Sequence, residues 1–215
     1  MSRSVTVIGL GYVGLPTAAL LASRGIHVRG VDSSAAVRAT LTAGRIHIDE
    51  PDVGPLVERA LREGLFTLHE TPPPADVFVI AVPTPLDADR APMLDHVMDA
   101  TRALAPALTS GDLVLLESTS PIGTTARIAD LLRQLRPELE DLAIAYGPER
   151  VLPGRILAEL VANDRVAGGL TPEATRRAIA FYRLFVRGAV HGTNAATAEM
   201  VKRSDLEGRP LETQV

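Results

Sequence analysis

Short apolar runs alternate with longer segments of helical periodicity along this chain, and this pattern predicts strands and helices in turn. Strands are expected at residues 5–8, 27–31, 66–68, 77–82, 113–116 and 143–146, and the last is taken as the final strand of the core. Helices are expected at residues 15–22, 35–43, 53–63, 93–108, 124–135 and 172–186, with another beginning near Ala195. The alternation indicates an α/β fold with a right-handed, doubly wound, mostly parallel sheet, then a polar linker and the start of a C-terminal helix.

The composition narrows the classes of partner. Hydrophobic residues make up 46% of the 215 residues but aromatic residues only 3%, so the core is expected to be aliphatic. A formal net charge of −4 gives no general attraction for nucleic acid or for an anionic membrane, and neither is expected as a partner. No apolar run approaches ~18 residues and the N-terminus shows no basic leader pattern, so a cytoplasmic protein is expected.

The titratable residues exclude several kinds of chemistry. The chain contains no cysteine, so these residues can form no disulfide, no thiolate metal site and no sulfur nucleophile. The five histidines show no spacing typical of metal ligands, and no metal site is predicted. Because the overall charge does not attract anions, a bound anion must be held by a local structure.

Residues 9–14, Gly-Leu-Gly-Tyr-Val-Gly, provide such a local structure. They have the G-x-G-x-x-G spacing directly after the first strand and at the start of the first helix. Gly9 permits a tight turn, Gly11 lets the backbone approach a pyrophosphate, and Gly14 lets helix and strand pack closely. The N–H groups of the helix N-terminus then favour the anion. Taken alone, the spacing also fits an ordinary glycine turn.

Asp32 favours the dinucleotide interpretation. It ends the second strand 18 residues after Gly14, about the separation at which a carboxylate reaches the ribose hydroxyls of adenosine. A carboxylate there repels a 2′-phosphate, and no arginine follows it immediately, so NAD is favoured over NADP. The alternative role for Asp32 is an N-cap of the next helix. The pattern predicts a Rossmann-type NAD-binding domain.

Two later loops should face the same crevice, because ligands of open α/β sheets bind at the carboxyl ends of the strands. Residues 82–85, Val-Pro-Thr-Pro, place the hydroxyl of Thr84 between two prolines, which stiffen the backbone. Residues 117–125 gather five hydroxyl groups, which suit a ribose, a phosphate or a nicotinamide amide. Ordinary helix capping explains one of these hydroxyls but not the whole cluster.

The order of these motifs resembles the UDP-glucose/GDP-mannose dehydrogenase family, and most closely its UDP-N-acetyl-D-mannosamine dehydrogenase branch. Seven ordered segments between residues 5 and 202 carry the resemblance: VIGLGYVGLPTAA, GVD, AVPTP, LESTSPIGTT, PERVLPG, NDRVAGG and TAEMVK. Together they are far more specific than the glycine motif. PERVLPG discriminates between branches, because UDP-glucose enzymes usually carry a second glutamate where this chain has Pro153.

The resemblance implies roles for particular residues. In addition to the three glycines, NAD contacts fall on Tyr12, Val13, Asp32, Thr84 and Thr125. Arg150 and Val151 contact the sugar nucleotide, Glu149 helps to organise the reacting water, and Lys202 is a catalytic lysine that steadies an oxyanion or moves a proton. If the family resemblance is set aside, the sequence also allows Glu149 and Arg150 to form a surface ion pair. It likewise allows Lys202 to be a solvated lysine at the end of a helix.

The implied reaction is a four-electron oxidation of the sugar's C6 alcohol to a carboxylate with two NAD, by way of an aldehyde and a cysteine thioester. That cysteine is missing here, and in relatives it lies in a second, sugar-binding domain beyond a long central helix. After Lys202 the sequence departs from the family, with Leu206 in place of an asparagine, and Gly208 and Pro210 are expected to end any helix. We therefore expect an NAD-binding domain at residues 1–202 and a divergent tail at residues 203–215, in a truncated chain that does not complete the oxidation alone.

The expected partner is a UDP-amino sugar substrate. Dimerisation through the region of the C-terminal helix stays open, because in relatives that helix forms the dimer interface. An alternative of a different class is a stand-alone NAD-sensing or partner-binding module without catalysis. The absence of cysteine from these residues also supports this alternative.

Overall fold

The computed structural model describes residues 4–50, 52–87, 92–149, 151–152 and 154–207, with the backbone alone for residues 203–207. Within these residues the strands are β1 (Ser4–Ile8), β2 (His27–Val31), β3 (Phe66–His69), β4 (Val77–Ile80), β5 (Leu113–Leu116), β6 (Ala143–Tyr146), β7 (Arg165–Gly169) and β8 (Val190–Asn194). They form one sheet in the order β3-β2-β1-β4-β5-β6-β7-β8. Neighbouring strands run parallel except β6 and β7, which are antiparallel, so the prediction of a mostly parallel sheet is confirmed.

Helices cover both faces of the sheet. They are α1 (Gly14–Ser23), α2 (Ala35–Thr42), α3 (Val53–Arg62), α4 (Asp95–Leu104), α5 (Thr124–Leu135), α6 (Ile156–Ala162), α7 (Pro172–Tyr182) and α8 (Ala195–Glu207). Successive strand residues point to opposite faces, so Val79 and Leu115 pack with the cluster that contains α1, α3, α6 and α7. Ile80 and Leu116 pack with the opposite cluster, which contains α4, α5 and α8. Burial on both faces explains why the central strands are continuously apolar.

Several element boundaries agree with the sequence and others shift for local reasons. The bounds of β2, β5, α5 and β6 and the start of α8 are as predicted. The helix expected at residues 93–108 is divided into α4 and a 3-10 turn over Ala105–Ala107, because Pro106 has no N–H to continue the α-helical hydrogen bonds. β4 ends at Ile80 and α7 at Tyr182, two and four residues earlier than expected.

The prediction that residues 143–146 form the last core strand is wrong. β7 and β8 follow it, and they pair in register over five positions, from Arg165 with Val190 to Gly169 with Asn194. Neither has the apolar run of a buried strand, because β7 contains two glycines and the sheet-edge strand β8 is largely polar and exposed. The glycine at position 168 is required by packing, since a Cβ there would lie 2.2 Å from the carbonyl oxygen of Asn194.

Helix α8 continues through the point at which the resemblance to the family ends. It runs from Ala195 to Glu207, five residues beyond Lys202. The expected helix-ending residues Gly208 and Pro210 lie outside the described residues.

Two further features bear on the expected partners. No helix in the described part of the chain is both long enough and apolar enough to cross a membrane. In the same residues, no three or more side chains of His, Asp or Glu come together in a way that could hold a metal ion.

Candidate cofactor and substrate site

The carboxyl ends of β1, β2, β4, β5 and β6 lie at one edge of the sheet, because these strands are parallel. From β1 the chain proceeds outward to β2 and β3, and then returns to β4 on the other side of β1. Such a reversal of strand order opens a crevice, and open α/β sheets bind their ligands there. Every segment predicted to bind a ligand lies after one of these strands or, in the case of Lys202, on α8.

Each of the three motif glycines occupies a different environment, so a side chain at each position would have a different effect. Gly9 has a φ of +91°, and a Cβ there would lie 2.7 Å from the carbonyl oxygen of Ala81. A Cβ on Gly14 would lie 1.8 Å from the carbonyl oxygen of Gly9. A Cβ on Gly11 would meet no other atom of the described residues within 4 Å. The fold therefore requires Gly9 and Gly14, whereas the open space beside Gly11 fits a pyrophosphate that approaches the backbone.

The carboxylate of Asp32 lies against this glycine turn. Its Oδ2 accepts a hydrogen bond of 3.0 Å from the N–H of Leu10, and its Oδ1 accepts one of 2.9 Å from the N–H of Ser34. The N-cap of α2 is Ser34, whose hydroxyl oxygen accepts from the N–H of Val37. The alternative role of Asp32 as the helix cap is therefore wrong, and the carboxylate is placed where an adenosine ribose would be expected.

The structure also places Arg38 beside Asp32, a contact that the sequence reasoning missed because it considered only the immediately following residues. The guanidinium donates to the carbonyl oxygens of Asp32 at 2.6 Å and Ser33 at 3.0 Å. It also forms an ion pair of 3.3 Å with Glu70. The positive charge of Arg38 is therefore paired with Glu70. The preference for NAD over NADP that was predicted from the Asp32 carboxylate is unchanged.

Three further residues with an expected NAD contact lie on the two loops beside the crevice. Tyr12 is exposed, and the N–H of Asp49 lies 3.5 Å from its hydroxyl oxygen. Val13 is half-buried, and its carbonyl accepts from the N–H of Thr17 in the first turn of α1. Thr84 is half-buried after β4. Their contacts with NAD stay predictions.

The hydroxyl-rich loop after β5 is largely held by its own hydroxyl groups. Three of them donate to nearby carbonyl oxygens: Ser118 to Val82 at 2.7 Å, Ser120 to Ser118 at 3.0 Å and Thr124 to Pro121 at 2.7 Å. Thr119 is half-exposed, and its hydroxyl has no hydrogen-bond partner among the described residues. The composition of the loop suggested five ligand-binding hydroxyls, but most of them close the loop, and Thr119 is the accessible one.

The fifth hydroxyl belongs to Thr125, which is fully buried. Its Oγ1 donates to Oε1 of Glu199 at 2.6 Å, and its N–H donates to the same oxygen at 2.8 Å. The other carboxylate oxygen of Glu199 accepts from the N–H of Gly123 at 2.7 Å. Thr125, to which the resemblance assigned an NAD contact, therefore bonds through its hydroxyl to a carboxylate from α8 in this structure.

Glu149 begins the loop after β6 that carries the expected substrate contacts. It is 6% exposed, which excludes the interpretation as a surface ion pair. Burial raises the pKa of its carboxyl above the ordinary value, although the positive charges of Arg165 and Lys202 oppose this shift. Val151 is half-buried in the same loop, and Arg150 lies outside the described residues.

The structure brings Lys202 and Glu149, the two predicted catalytic residues, together. The ammonium of Lys202 donates to the backbone carbonyl of Glu149 at 2.5 Å, and the side chain is half-buried. Lys202 is also the only lysine among the 22 lysines and arginines of the chain. Since a guanidinium does not release a proton under ordinary conditions, Lys202 is the one of these 22 side chains suited to proton transfer. The interpretation as a solvated helix lysine is therefore not supported.

A buried ion pair at the end of β5 was missed by the sequence reasoning. Nη1 of Arg165, at the start of β7, lies 3.2 Å from Oε1 of Glu117, and their side chains are 5% and 0% exposed. The guanidinium stacks on the ring of Tyr182, 4.5 Å from its centroid. Glu117 opens the hydroxyl-rich loop, and the charge of Arg165 also acts on Glu149. The pair therefore lies between the expected cofactor and substrate segments.

The fold and this site together define a class of protein. A glycine turn at the switch point of a doubly wound sheet, with a carboxylate at the end of the second strand, characterises a Rossmann-type dinucleotide-binding domain. The chain belongs to the UDP-glucose/GDP-mannose dehydrogenase family, since residues 3–186 match the model of that family's NAD binding domain.

Individual relatives are similar over almost the whole chain. It is 48% identical over 212 residues to the NDP-N-acetyl-D-galactosaminuronic acid dehydrogenase of Ralstonia nicotianae, across 94% of this chain and 50% of that protein. It is 47% identical over 218 residues to the UDP-N-acetyl-D-mannosamine dehydrogenase of Yersinia pestis, across 97% and 52%. The solved structure of a UDP-D-ManNAc dehydrogenase from Pyrococcus horikoshii matches with a TM-score of 0.90 and 41% identity, across 94% and 49%. The chain therefore spans about half the length of these relatives.

Proposed function

We propose that this chain is the cofactor-binding part of an NAD-dependent dehydrogenase that oxidises the C6 alcohol of UDP-N-acetyl-D-mannosamine. The observation that carries the proposal is the hydrogen bond from Lys202 to the carbonyl of Glu149, at the same edge of the sheet as the glycine turn. It joins the two residues that the family resemblance assigns to catalysis. The names of the similar proteins from Yersinia pestis and Pyrococcus horikoshii support this particular UDP-amino sugar.

The cofactor is proposed to lie across the switch point of the sheet. The backbone at Gly11 and the N-terminus of α1 would hold the pyrophosphate, and Asp32 would accept hydrogen bonds from the ribose. NAD bound there supplies the acceptor for the hydride that leaves C6. The remaining proposed contacts are Tyr12, Val13, Thr84 and Thr125.

Lys202 and Glu149 are proposed to handle charge and protons. When the C6 hydroxyl loses its proton to water, an ammonium beside the oxygen would stabilise the alkoxide, and Lys202 would provide that ammonium. The raised pKa of Glu149 lets its carboxyl hold or release a proton nearer neutral pH than an ordinary glutamate, which suits a group that organises the reacting water. Arg150 and Val151 are proposed to contact the sugar nucleotide.

Completion of the oxidation to the acid requires a nucleophile that these residues do not contain. The chain has no cysteine, and we propose that the thiolate and most of the sugar contacts come from a further part of the enzyme. The purified chain is then expected to bind NAD without producing the uronic acid. Formation of uronic acid from UDP-N-acetyl-D-mannosamine by this chain alone would contradict the proposal.

Replacing Asp32 with alanine is expected to weaken NAD binding by about 10- to 100-fold, because the variant loses the charged acceptor for the ribose hydroxyls. NADP binding should weaken less or improve, since the carboxylate no longer repels the 2′-phosphate. Calorimetric dissociation constants for both cofactors measure the effect. Asp141→Ala is the matched control, because Asp141 is exposed just before the amino end of β6, at the opposite edge of the sheet. Equal losses in the two variants would contradict the assigned role.

The proposed substrate contact is tested by the response of the sugar nucleotide to Arg150→Ala. UDP-N-acetyl-D-mannosamine is expected to bind weakly to the NAD-saturated chain, because only part of its site is present. Saturation-transfer NMR detects such weak contacts, and the transferred signal should fall severalfold in the variant since an arginine is a strong partner for phosphate oxygens. An unchanged transferred signal in the variant would contradict the proposed contact of Arg150 with the sugar nucleotide. No transferred signal with the wild-type chain would contradict the proposed substrate.

A further inference from the structure

The carboxylate of Glu199, on α8, caps the N-terminus of α5 at the end of the hydroxyl-rich loop, residues 117–125. Gly123, the N-cap residue of α5, has a φ of +94° and provides no side-chain cap, so the first N–H groups of the helix need an external acceptor. Glu199 accepts from the N–H groups of Gly123 and Thr125 and from the hydroxyl of Thr125. A carboxylate at a helix N-terminus is favoured by both hydrogen bonding and the helix dipole.

Glu199 lies on the same helix as the proposed catalytic lysine. Lys202 follows it by three residues, a spacing that places both on one side of α8. From that side, Glu199 bonds to the loop before α5, and Lys202 bonds to the carbonyl of Glu149 in the loop after β6. One helix therefore joins the segments that follow two adjacent parallel strands, β5 and β6.

The contact is placed to fix the position of α8. The start of the helix is held by Asn194, whose side-chain oxygen accepts from the N–H of Thr197, and by the close packing of Ala198 on Gly168. The following turn carries Glu199, which is 1% exposed and therefore has no access to water as an alternative partner. Because a buried carboxylate that loses its donors is costly, rotation or lifting of this turn is strongly opposed.

We propose that Glu199 is a positioning residue, whose bonds to Gly123 and Thr125 set where the Lys202 ammonium stands relative to Glu149. The proposal deepens the proposed function and rests on it for its catalytic meaning. It also gives Thr125 a defined hydrogen-bonding role. Because its proton goes to Glu199, the Thr125 hydroxyl can only accept a hydrogen bond from a ligand. Movement of the hydroxyl-rich loop is then transmitted through Glu199 to Lys202.

The experiment uses the single lysine of the chain as a probe. Reductive methylation with ¹³C-formaldehyde keeps the positive charge and gives one dimethyl-lysine NMR signal, separate from that of the N-terminal amine. In the wild-type chain this signal is expected away from its position in the urea-unfolded chain. In Glu199→Gln the signal should move towards the unfolded position. The amide keeps one acceptor oxygen, but its nitrogen cannot accept a hydrogen bond, so the contact with either Gly123 or Thr125 is lost. Loss of one charge-assisted bond corresponds to about a tenfold rise in local undocking.

Two controls separate positioning from general stability. Glu173→Gln makes the same chemical change at an exposed site at the start of α7 and should leave the Lys202 signal unmoved. Val57→Ala removes buried volume from α3, on the other face of the sheet, and lowers stability without touching α8. A Lys202 signal that moves equally in Val57→Ala would overturn the proposal. An unmoved Lys202 signal in Glu199→Gln, while the amide signals of Gly123 and Thr125 change, would also overturn it.

A milder variant decides the matter if Glu199→Gln does not fold. Thr125→Val removes one of the three donors and leaves the carboxylate in place, so the Lys202 signal should move in the same direction by a smaller amount. No movement in the folded Thr125→Val chain overturns the proposal. An NAD titration of the wild-type chain distinguishes this failure from that of the proposed function. If the wild-type chain binds NAD saturably and the Lys202 signal does not differ between the wild type and the variants, only the role of Glu199 is rejected. If the chain does not bind NAD and the Lys202 signal does move in the variants, the cofactor assignment is rejected.

Discussion

Arg165→Met is expected to lower the free energy of unfolding by about 3–5 kcal/mol, because it leaves the carboxylate of Glu117 without its buried cation. The two side chains are 5% and 0% exposed, so water cannot replace the guanidinium. The substitution also removes the stacking of the guanidinium on Tyr182. Urea denaturation at neutral pH measures the loss, and the slope of the transition should stay unchanged.

Arg133→Met is the matched control for this prediction. Arg133 pairs with Asp130 at 2.6 Å, but the side chains are 70% and 63% exposed, so the change should stay within about 0.5 kcal/mol. The double variant Arg165→Met with Glu117→Gln should recover part of the loss, since it removes the unpaired charge. Similar unfolding curves for Arg165→Met and Arg133→Met would contradict the account of this ion pair.

The second large effect is expected at the glycine turn, where Gly14→Ala should destabilise the fold and Gly11→Ala should not. A Cβ on Gly14 would lie 1.8 Å from the carbonyl oxygen of Gly9, and relief of that clash requires movement of backbone. We expect a loss of about 3 kcal/mol or more, together with loss of NAD binding. Urea denaturation and calorimetric titration with NAD measure the two consequences separately.

Gly11→Ala is the control for the fold and the test for the pyrophosphate. Its Cβ meets no other atom of the described residues within 4 Å, so stability should change by less than about 1 kcal/mol. The added methyl group occupies the space assigned to the pyrophosphate, and NAD affinity should fall about tenfold or more. A folded Gly11→Ala chain with wild-type affinity would show that the cofactor does not approach this part of the backbone.

The central part of the fold could be predicted because its signals are local in sequence. The strands over Leu113–Leu116 and Ala143–Tyr146 are apolar runs buried on both faces, and α5 begins directly after Gly123. β7 and β8 could not be predicted in this way. Their place in the sheet depends on pairing with each other and on close packing of α7 and α8 over Gly168 and Gly169, which no pattern in the strands themselves shows.

The same distinction between local and long-range signals applies to the residues of the candidate site. The glycine turn and Asp32 follow a fixed spacing, so the sequence places them correctly at the switch point of the sheet. Glu199 and Arg165 carry no such signal, because their partners lie 74 and 48 residues away along the chain. The hydroxyl-rich loop shows the opposite limit, since its composition indicated ligand binding and its geometry shows that most of the hydroxyls hold the loop.

Calorimetric titration of the wild-type chain with NAD, and in parallel with NADP, tests the central claim most directly. We predict saturable binding of one NAD per chain and clearly weaker binding of NADP, because the Asp32 carboxylate lies beside the glycine turn. Absence of saturable NAD binding by a folded chain, or binding of NADP as tight as that of NAD, would contradict it.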